Sequence, residues 1–311
     1  MDVRQLAAFR AVAQTRSITR AAAALGYSQS AVTTQIKGLE SVVRARLFER
    51  RRDGVRLTAS GERFLPYATR LLRLTEEARS AVAPEAVLGG TLTIGASESI
   101  TTYRLPDVVR LFHAAHPKVR LSLHTFHEGP EAMVAALGRG DIDVALTHSI
   151  DPGPTGPATR RLATEELVLV ATPDHALARR AAVTTEDLRS APTLIVQSAC
   201  VYDTILRTEL TAVGPRVVPP LEFGTIEGVK IAALSGHGVA LLPRVTVTGL
   251  LDTGALVQLP WAPAVTVASY VAWDEEQCDP AMLSAFEAVL DRVAAGWACS
   301  PACAEVGSLS A

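Results

Sequence analysis

Val32, Ile36, Leu39 and Val43 recur at i, i+4, i+7 and i+11, a single buried stripe on a helix that begins after Ser28. The opposite face carries Gln29, Ser30, Thr33, Thr34 and Lys37, short hydrogen-bonding groups and one cation. Such a face at a helix N-terminus suits base edges and phosphates in a DNA major groove. Upstream, Ser17 is placed to cap a short helix over Ile18–Leu25, Gly26 permits a tight turn, and Ser28 caps the next helix. The spacing predicts a helix–turn–helix with a sequence-reading second helix.

Residues 47–58 then read as a β-hairpin with Asp53-Gly54 at the turn. Arg50, Arg51, Arg52 and Arg56 make it a basic wing able to lie along phosphates. Residues 1 to about 65 resemble the LysR-type transcriptional regulators. The resemblance rests on Arg4-Gln-Leu, Ser17 with Thr19-Arg-Ala-Ala22, Ser28-Gln-Ser-Ala-Val32, Gln35-Ile with Leu39-Glu40, Leu47-Phe-Glu-Arg50, and Leu57-Thr-Ala-Ser-Gly61. Many matches at set spacing are far more specific than a lone helix–turn–helix. Two positions depart from the family pattern. Val43-Arg44 stands where the family has Leu-Gly, so the recognition helix lacks a glycine to end it. Gly38 inside that helix costs about 1 kcal/mol against alanine unless close packing requires it.

Charge divides the chain. Residues 1–66 hold 12 Lys+Arg against 5 Asp+Glu, whereas residues 67–311 hold 18 against 27. A basic head on an acidic body is the footprint of a protein that meets nucleic acid at one end. At 311 residues and 48% hydrophobic, the chain exceeds a single core and implies two or three domains. Asp2, Arg4 and Arg10 interrupt the first apolar stretch, which speaks against a signal peptide. The long uncharged run 253–273 contains Pro260, Pro263 and Gln258 and reads as two strands around a turn, with no membrane contact. Four cysteines without a dense framework fit a reducing cytoplasm. The expected localisation is cytoplasmic.

A connector follows the wing. Thr58 is placed to cap a helix over 59–82, in which Phe64, Ala68, Leu71, Thr75, Ala78 and Val82 alternate by four and three residues. Pairing across this seam is what the resemblance implies, since the family's linker helices pair in a dimer. Pro66 sits early in the helix, Pro84 breaks it, and Gly89-Gly90 forms a hinge.

Beyond the hinge, short apolar strands alternate with helices, an α/β pattern with largely parallel sheets. Strands are predicted at 91–96, 119–126 and 142–147, with helices at 106–115 and 131–139, before a Pro/Gly-rich boundary loop at 151–157. A second unit carries strands at 167–171, 193–196 and 239–242 and helices near 201–212 and 226–235. The chain returns to the first unit through 266–273 and the helix 280–295. Phe112 with Pro117, Gly140-Asp-Ile-Asp-Val144, Asp174-His-Ala-Leu177 and Gly236-His-Gly-Val-Ala-Leu-Leu-Pro243 resemble the same family's two-lobed, periplasmic-binding-protein-like effector domain. The expected division is 1–58 winged helix–turn–helix, 59–88 linker and hinge, and 89–297 effector-binding domain, with 298–311 a disordered tail. Lobe one takes about 89–160 and 266–297, and lobe two about 161–265.

A small ligand belongs between such lobes, where strand C-termini and helix N-termini converge. Ser97, Ser99, Thr101 and Thr102 follow the first strand. Ser198, Cys200 and Tyr202 hold the corresponding place in lobe two, Thr147 and His148 end a lobe-one strand, and Thr225 begins a helix. In the family, the first-strand Ser/Thr cluster and the loop after the lobe-two strand contact the effector. No arginine marks the site, so the effector's charge stays open.

Cys200 lies where peroxide-sensing family members place a reactive cysteine, but Val201–Leu210 contains no resolving partner, so a disulfide switch is not expected. Cys299 and Cys303 have C-x₃-C spacing, unlike a redox pair. His113/His116 and His124/His127, with Glu128, suggest metal only weakly, because His116 before Pro117 occupies a ring position usual in the family. Nucleophile-elbow, phosphate-loop and zinc-protease motifs are absent. The sequence is therefore read as a regulator and not an enzyme, without a cofactor. It is expected to bind double-stranded DNA at an interrupted palindrome and a small-molecule effector. A dimer, assembling into a tetramer as in the family, and RNA polymerase contact complete the expectation.

Overall fold

The computed structural model describes residues 1–51, 54–81, 88–150, 153–198, 200–214, 218–275 and 277–297. The predicted Arg52, Asp53, Val82 and Pro84, and the tail with Cys299 and Cys303, lie outside the described residues. The head consists of α1 (Val3–Thr15), α2 (Ile18–Leu25), α3 (Gln29–Val43), β1 (Phe48–Arg51) and β2 (Gly54–Leu57). Ser17 and Ser28 cap α2 and α3 through their hydroxyls, accepting from the Arg20 and Ala31 N–H groups, and Gly26 takes the left-handed turn at φ 68°. Phe9, Val12, Val32, Ile36, Leu39 and Leu47 form the core. Phe9 lies 5.2 Å from Phe48 and 5.3 Å from Phe64, ring centre to ring centre. Glu40 ties α3 to the wing by accepting from the Leu47 N–H at 2.8 Å.

Without the family glycine, α3 still stops. Arg44 takes the left-handed conformation itself, φ 53°, and its N–H donates to the Glu40 carbonyl. Gly38 packs against α1, where an added Cβ would sit 2.7 Å from the Gln5 amide nitrogen. Gly61 is more constrained, since its Cβ would lie 2.2 Å from the Leu47 carbonyl oxygen.

The long helix α4 (Ala59–Ala81) starts at Thr58, whose hydroxyl accepts from the Gly61 N–H at 3.1 Å. The predicted seam turns out to be split. Ala68 is fully buried in the head's own core, and Phe64 and Leu71 pack against that core, because α1 lies along this face. Among the described side chains of this helix, the large apolar ones exposed are Tyr67 (65%) and Leu74 (45%), one residue before the predicted Ala68 and Thr75. With the half-buried Phe64 and Leu71 and the exposed Ala78 they keep the 3,4 spacing, so the solvent-facing edge of the stripe is rotated from the predicted one.

Gly90 opens the body at φ 98°. Lobe one runs through β3 (Gly90–Ser97), α5 (Glu98–Tyr103), α6 (Leu105–Ala115), β4 (Val119–Phe126), α7 (Pro130–Arg139), β5 (Val144–Ile150) and β6 (Ala158–Glu165). Lobe two holds β7 (Leu167–Ala171), α8 (Thr185–Leu188), β8 (Thr193–Ile195), α9 (Val201–Val213), β9 (Leu221–Glu222), α10 (Ile226–Leu234), β10 (Val239–Pro243), α11 (Arg244–Asp252) and β11 (Val257–Gln258). The chain returns to lobe one as β12 (Val267–Trp273) and α12 (Pro280–Ala294).

The sheets are ordered β4-β3-β5-β12-β6 and β11-β7-β10-β8-β9. They are mixed, not largely parallel. In each, the pairs on one side are parallel and those on the other antiparallel. One strand in each sheet runs against the rest, β12 in lobe one and β7 in lobe two. The hydrophobic pattern also did not reveal β6, which follows β5, runs in the same direction and is separated from it by β12. The loop at 151–157 therefore joins two strands of one sheet, and the lobes part after Glu165, inside what was assigned to lobe two.

Lobe one also touches the linker. A Cβ on Gly140, at φ 69°, would lie 2.8 Å from Thr69 Cγ2 of α4. Beside this contact, Asp143 accepts from the Thr93 N–H at 2.7 Å. Burial pushes the Asp143 carboxyl up, opposed by the Thr93 bond and by Arg73 and Arg10 of the linker and head.

Candidate functional site

The cleft between the lobes encloses about 500 Å³, part of it open to solvent. Its lobe-one wall comes from the C-terminal ends of β3 and β4, from Thr147 and His148 of β5, and from the start of α7. Its lobe-two wall comes from the loop after β8 and the first turn of α9. Of the predicted residues, Ser97, Ser99, Thr147, His148, Cys200 and Tyr202 line this space together. Four others do not. The Thr101 hydroxyl donates back to the Ser97 carbonyl within α5, and exposed Ser198 donates to Glu222. Thr225 spends its hydroxyl capping α10. Thr102 is exposed.

At the base of the cleft, buried polar groups form a chain. The Tyr202 Oη lies 3.0 Å from Ser99 Oγ and 2.8 Å from His148 Nδ1, and His148 Nε2 lies 3.0 Å from Glu165 Oε2. Arg104 donates to both Glu165 oxygens at 3.0 and 3.2 Å, and its guanidinium sits 5.5 Å from the Trp297 ring centre. Burial alone would raise the Glu165 carboxyl, but His148 and Arg104 outweigh it and hold it below its ordinary value. The Tyr202 phenol is pushed well above its ordinary value by burial.

Two further contacts bridge the lobes. The Ile226 N–H, at the start of α10, donates to Glu98 Oε1 at 3.0 Å and Oε2 at 3.2 Å. Lys230 Nζ donates to Glu227 at 2.7 Å and to the Tyr103 hydroxyl across the cleft at 2.9 Å. Sequence reasoning missed Glu98, Glu165 and Arg104. A carboxylate after a strand looks like a solvated loop charge, and nothing local in Glu165 signals that His148 and Arg104 meet it in the fold.

On the head, Gln29, Ser30, Thr34 and Lys37 are exposed along one face of α3, with Thr33 half-buried beside them. The Thr33 and Thr34 hydroxyls donate to the Gln29 and Ser30 carbonyls, which leaves their lone pairs outward. Arg50 and Arg51 end strand β1, opposite Val55 and Gly54; their side chains lie outside the described set, while exposed Arg56 faces Glu49 in the register.

Comparison with known proteins decides the family. Residues 3–62 match the model of the bacterial regulatory helix-turn-helix protein, lysR family, and residues 85–295 match the LysR substrate binding domain. The chain belongs to the LysR family of transcriptional regulators. It is 33% identical to the HTH-type transcriptional regulator YwqM of Bacillus subtilis (strain 168), over 92% of this chain and 97% of that protein. A full-length OxyR variant from Pseudomonas aeruginosa superposes with a TM-score of 0.72 at 22% identity, covering 93% of this chain and 94% of the other. ArgP from Mycobacterium tuberculosis superposes at 0.70 and 23% identity, over 95% and 98%. These two likenesses show the fold.

As a LysR-type protein the chain is a DNA-binding transcriptional regulator with an effector-binding domain, and not an enzyme. Cys200 of this regulator has its thiol pushed up to about 11 by burial, so it is held as the neutral thiol and not as the nucleophilic thiolate. Cys278, buried in lobe one, is pushed up to about 12. His116 packs against Phe112 with ring centres 4.9 Å apart and the planes tilted by 44°, and His124 Nε2 lies 3.1 Å from the Ser122 hydroxyl. Among the described residues no three His, Cys, Asp or Glu side chains gather as a metal site, and no helix is long and apolar enough to cross a membrane.

Proposed function

We propose that this regulator reads an interrupted palindrome as a dimer and changes its DNA contacts when a small-molecule effector enters the cleft between its lobes. Gln29, Ser30 and Thr33 meet base edges, while Thr34, Lys37, Arg50, Arg51, Arg52 and Arg56 follow phosphates. Ser97, Ser99, Thr147, His148, Cys200 and Tyr202 hold the effector. The dimer forms across the Tyr67/Leu74 face of α4, and bodies of neighbouring dimers join them into a tetramer that works in the cytoplasm and touches RNA polymerase. No resident cofactor is involved.

The observation that carries the reading is the Tyr202–His148 contact, which joins one lobe to the other at the base of the cleft. A ligand lodged there meets groups from both lobes, so its affinity differs between open and closed arrangements, the condition for shifting their populations. The Gly140–Thr69 contact and the Asp143 cluster offer a physical route from lobe one to the linker helix.

The test is selection of bound fragments from genomic DNA by the full-length protein. Enriched fragments should share two half-sites about one or more helical turns apart. Fragments no better bound than random DNA at the same salt would refute operator reading.

A further inference from the structure

We infer that the effector is a small organic cation: an apolar body carrying a primary or secondary ammonium group, with no carboxylate. The inference rests on the proposed function in one respect, that the inter-lobe cleft is the effector site. Charge on the cleft wall is the first ground. Among the described residues lining it there is one carboxylate, Glu98, two imidazoles, the exposed His127 at the rim and the buried His148, and no lysine or arginine. The nearest guanidinium of the polar chain, Arg104, stands behind the wall and is spent on Glu165.

The second ground is that the cleft's natural anion site is already filled. The first turn of α10 presents its positive end to the cleft, where a ligand carboxylate would otherwise settle. Glu98 takes that place, with both oxygens on the Ile226 N–H. An anionic ligand would have to displace this side chain or lie against it, and would then be desolvated next to a like charge. His148 offers no relief, since Nδ1 is engaged by Tyr202 and Ser99 and Nε2 by Glu165.

A cation meets the opposite situation. An ionised carboxylate has about four lone-pair sites, and one N–H leaves room for an ammonium donor. Next to Glu98, the Ser97 hydroxyl is buried without a hydrogen-bond partner, a second acceptor on the same wall. Phe126, Pro130, Met133, Val196, Val201 and Ile226 supply the apolar remainder. A ligand complementary to this lining is greasy with one charged amine end.

The experiment uses the full-length protein with 2-phenylethylamine, 2-phenylethanol and 3-phenylpropionate, and the hexyl amine, alcohol and carboxylate, measured by calorimetric titration and thermal shift. Wild type is compared with Glu98→Gln, whose amide oxygen can still accept from Ile226, and with Gln197→Trp, which places an indole in the cleft from a half-buried wall position. The amine of each trio should bind best. Glu98→Gln should weaken it by about tenfold or more, the scale of one charge-assisted contact, while leaving the alcohol within about twofold. Gln197→Trp should abolish both. A carboxylate that binds best and is lost in Gln197→Trp, or an absence of binding by every amine, overturns the cationic class while the cleft reading survives. Amine binding that Gln197→Trp does not disturb places the ligand elsewhere and overturns the cleft reading itself.

Discussion

The Tyr202 phenol oxygen lies 2.8 Å from His148 Nδ1, although Tyr202 opens α9 in lobe two and His148 belongs to β5 in lobe one. Both side chains are buried. Separating the lobes breaks this buried hydrogen bond, and the phenol and the imidazole must each take water in its place. The contact thus acts as a latch whose opening cost is coupled to whatever occupies the cleft above it.

Tyr202→Phe keeps the ring and removes the latch atom. Stability by urea unfolding should fall by about 1–2 kcal/mol, the scale of a buried hydrogen bond whose partner remains. Operator affinity without ligand should stay near wild type, because the head is untouched, whereas any ligand-induced change in footprint should shrink. An unchanged ligand response would show that the latch is structural only.

The Glu165 carboxyl provides a pH signature. Burial tends to raise its pKa, but His148 and Arg104 hold it below the reference 4.5. A group with a depressed folded pKa binds its proton more readily when unfolded, so its stabilisation is complete above the ordinary carboxylate range and is lost as pH falls through the folded value. Wild type should therefore lose more stability than Glu165→Gln between about pH 5 and pH 3. Parallel stability curves for the two proteins would contradict this.

Arg44 holds a left-handed conformation that costs a non-glycine residue about 1–2 kcal/mol. Arg44→Gly should recover about 1 kcal/mol of head stability, partly offset by greater freedom of the unfolded chain. Thermal unfolding of the full chain checks it. A lower midpoint would mean that the Arg44 side chain makes a contribution larger than its backbone strain.

On α4, Leu74 and Leu71 should behave differently. Leu74 is 45% exposed, so Leu74→Asp should leave the monomer folded and split the dimer in sedimentation. Leu71 packs on the head core, and Leu71→Asp should also lower head stability by roughly 2 kcal/mol or more. A dimeric Leu74→Asp protein would rule out this face as the pairing surface.

On α3, Gln29→Ala should cost about 1–3 kcal/mol on the operator and relax preference at one base pair, as expected for a lost bidentate base contact. Lys37→Ala should weaken operator and random DNA alike and reduce the salt slope by about one. Competition binding at several salt concentrations separates the two. Equal losses for Gln29→Ala on both DNAs would remove it from base reading.

The sequence by itself determined the elements whose causes are local. Ser17, Gly26 and Ser28 act on backbone within a few residues of themselves, and the Val32–Ile36–Leu39 stripe needs only the helical repeat, so the helix–turn–helix was legible in full. The same holds for β3 and β10, whose apolar residues match their burial. What the fold decided depends on residues far apart in the chain. β6 carries a mixed pattern because one of its inward positions is the charged Glu165, acceptable there only because Arg104 and His148 meet it. Strand direction followed from β12 returning between β5 and β6, which periodicity does not encode. The apolar face of α4 left for a partner was settled by where α1 packs. Within the cleft, Ser99 and Tyr202 converged as expected while Thr101 and Thr225 turned to their own backbones. A hydroxyl's nearest acceptor is local, and only tertiary packing determines which hydroxyls are held away from it.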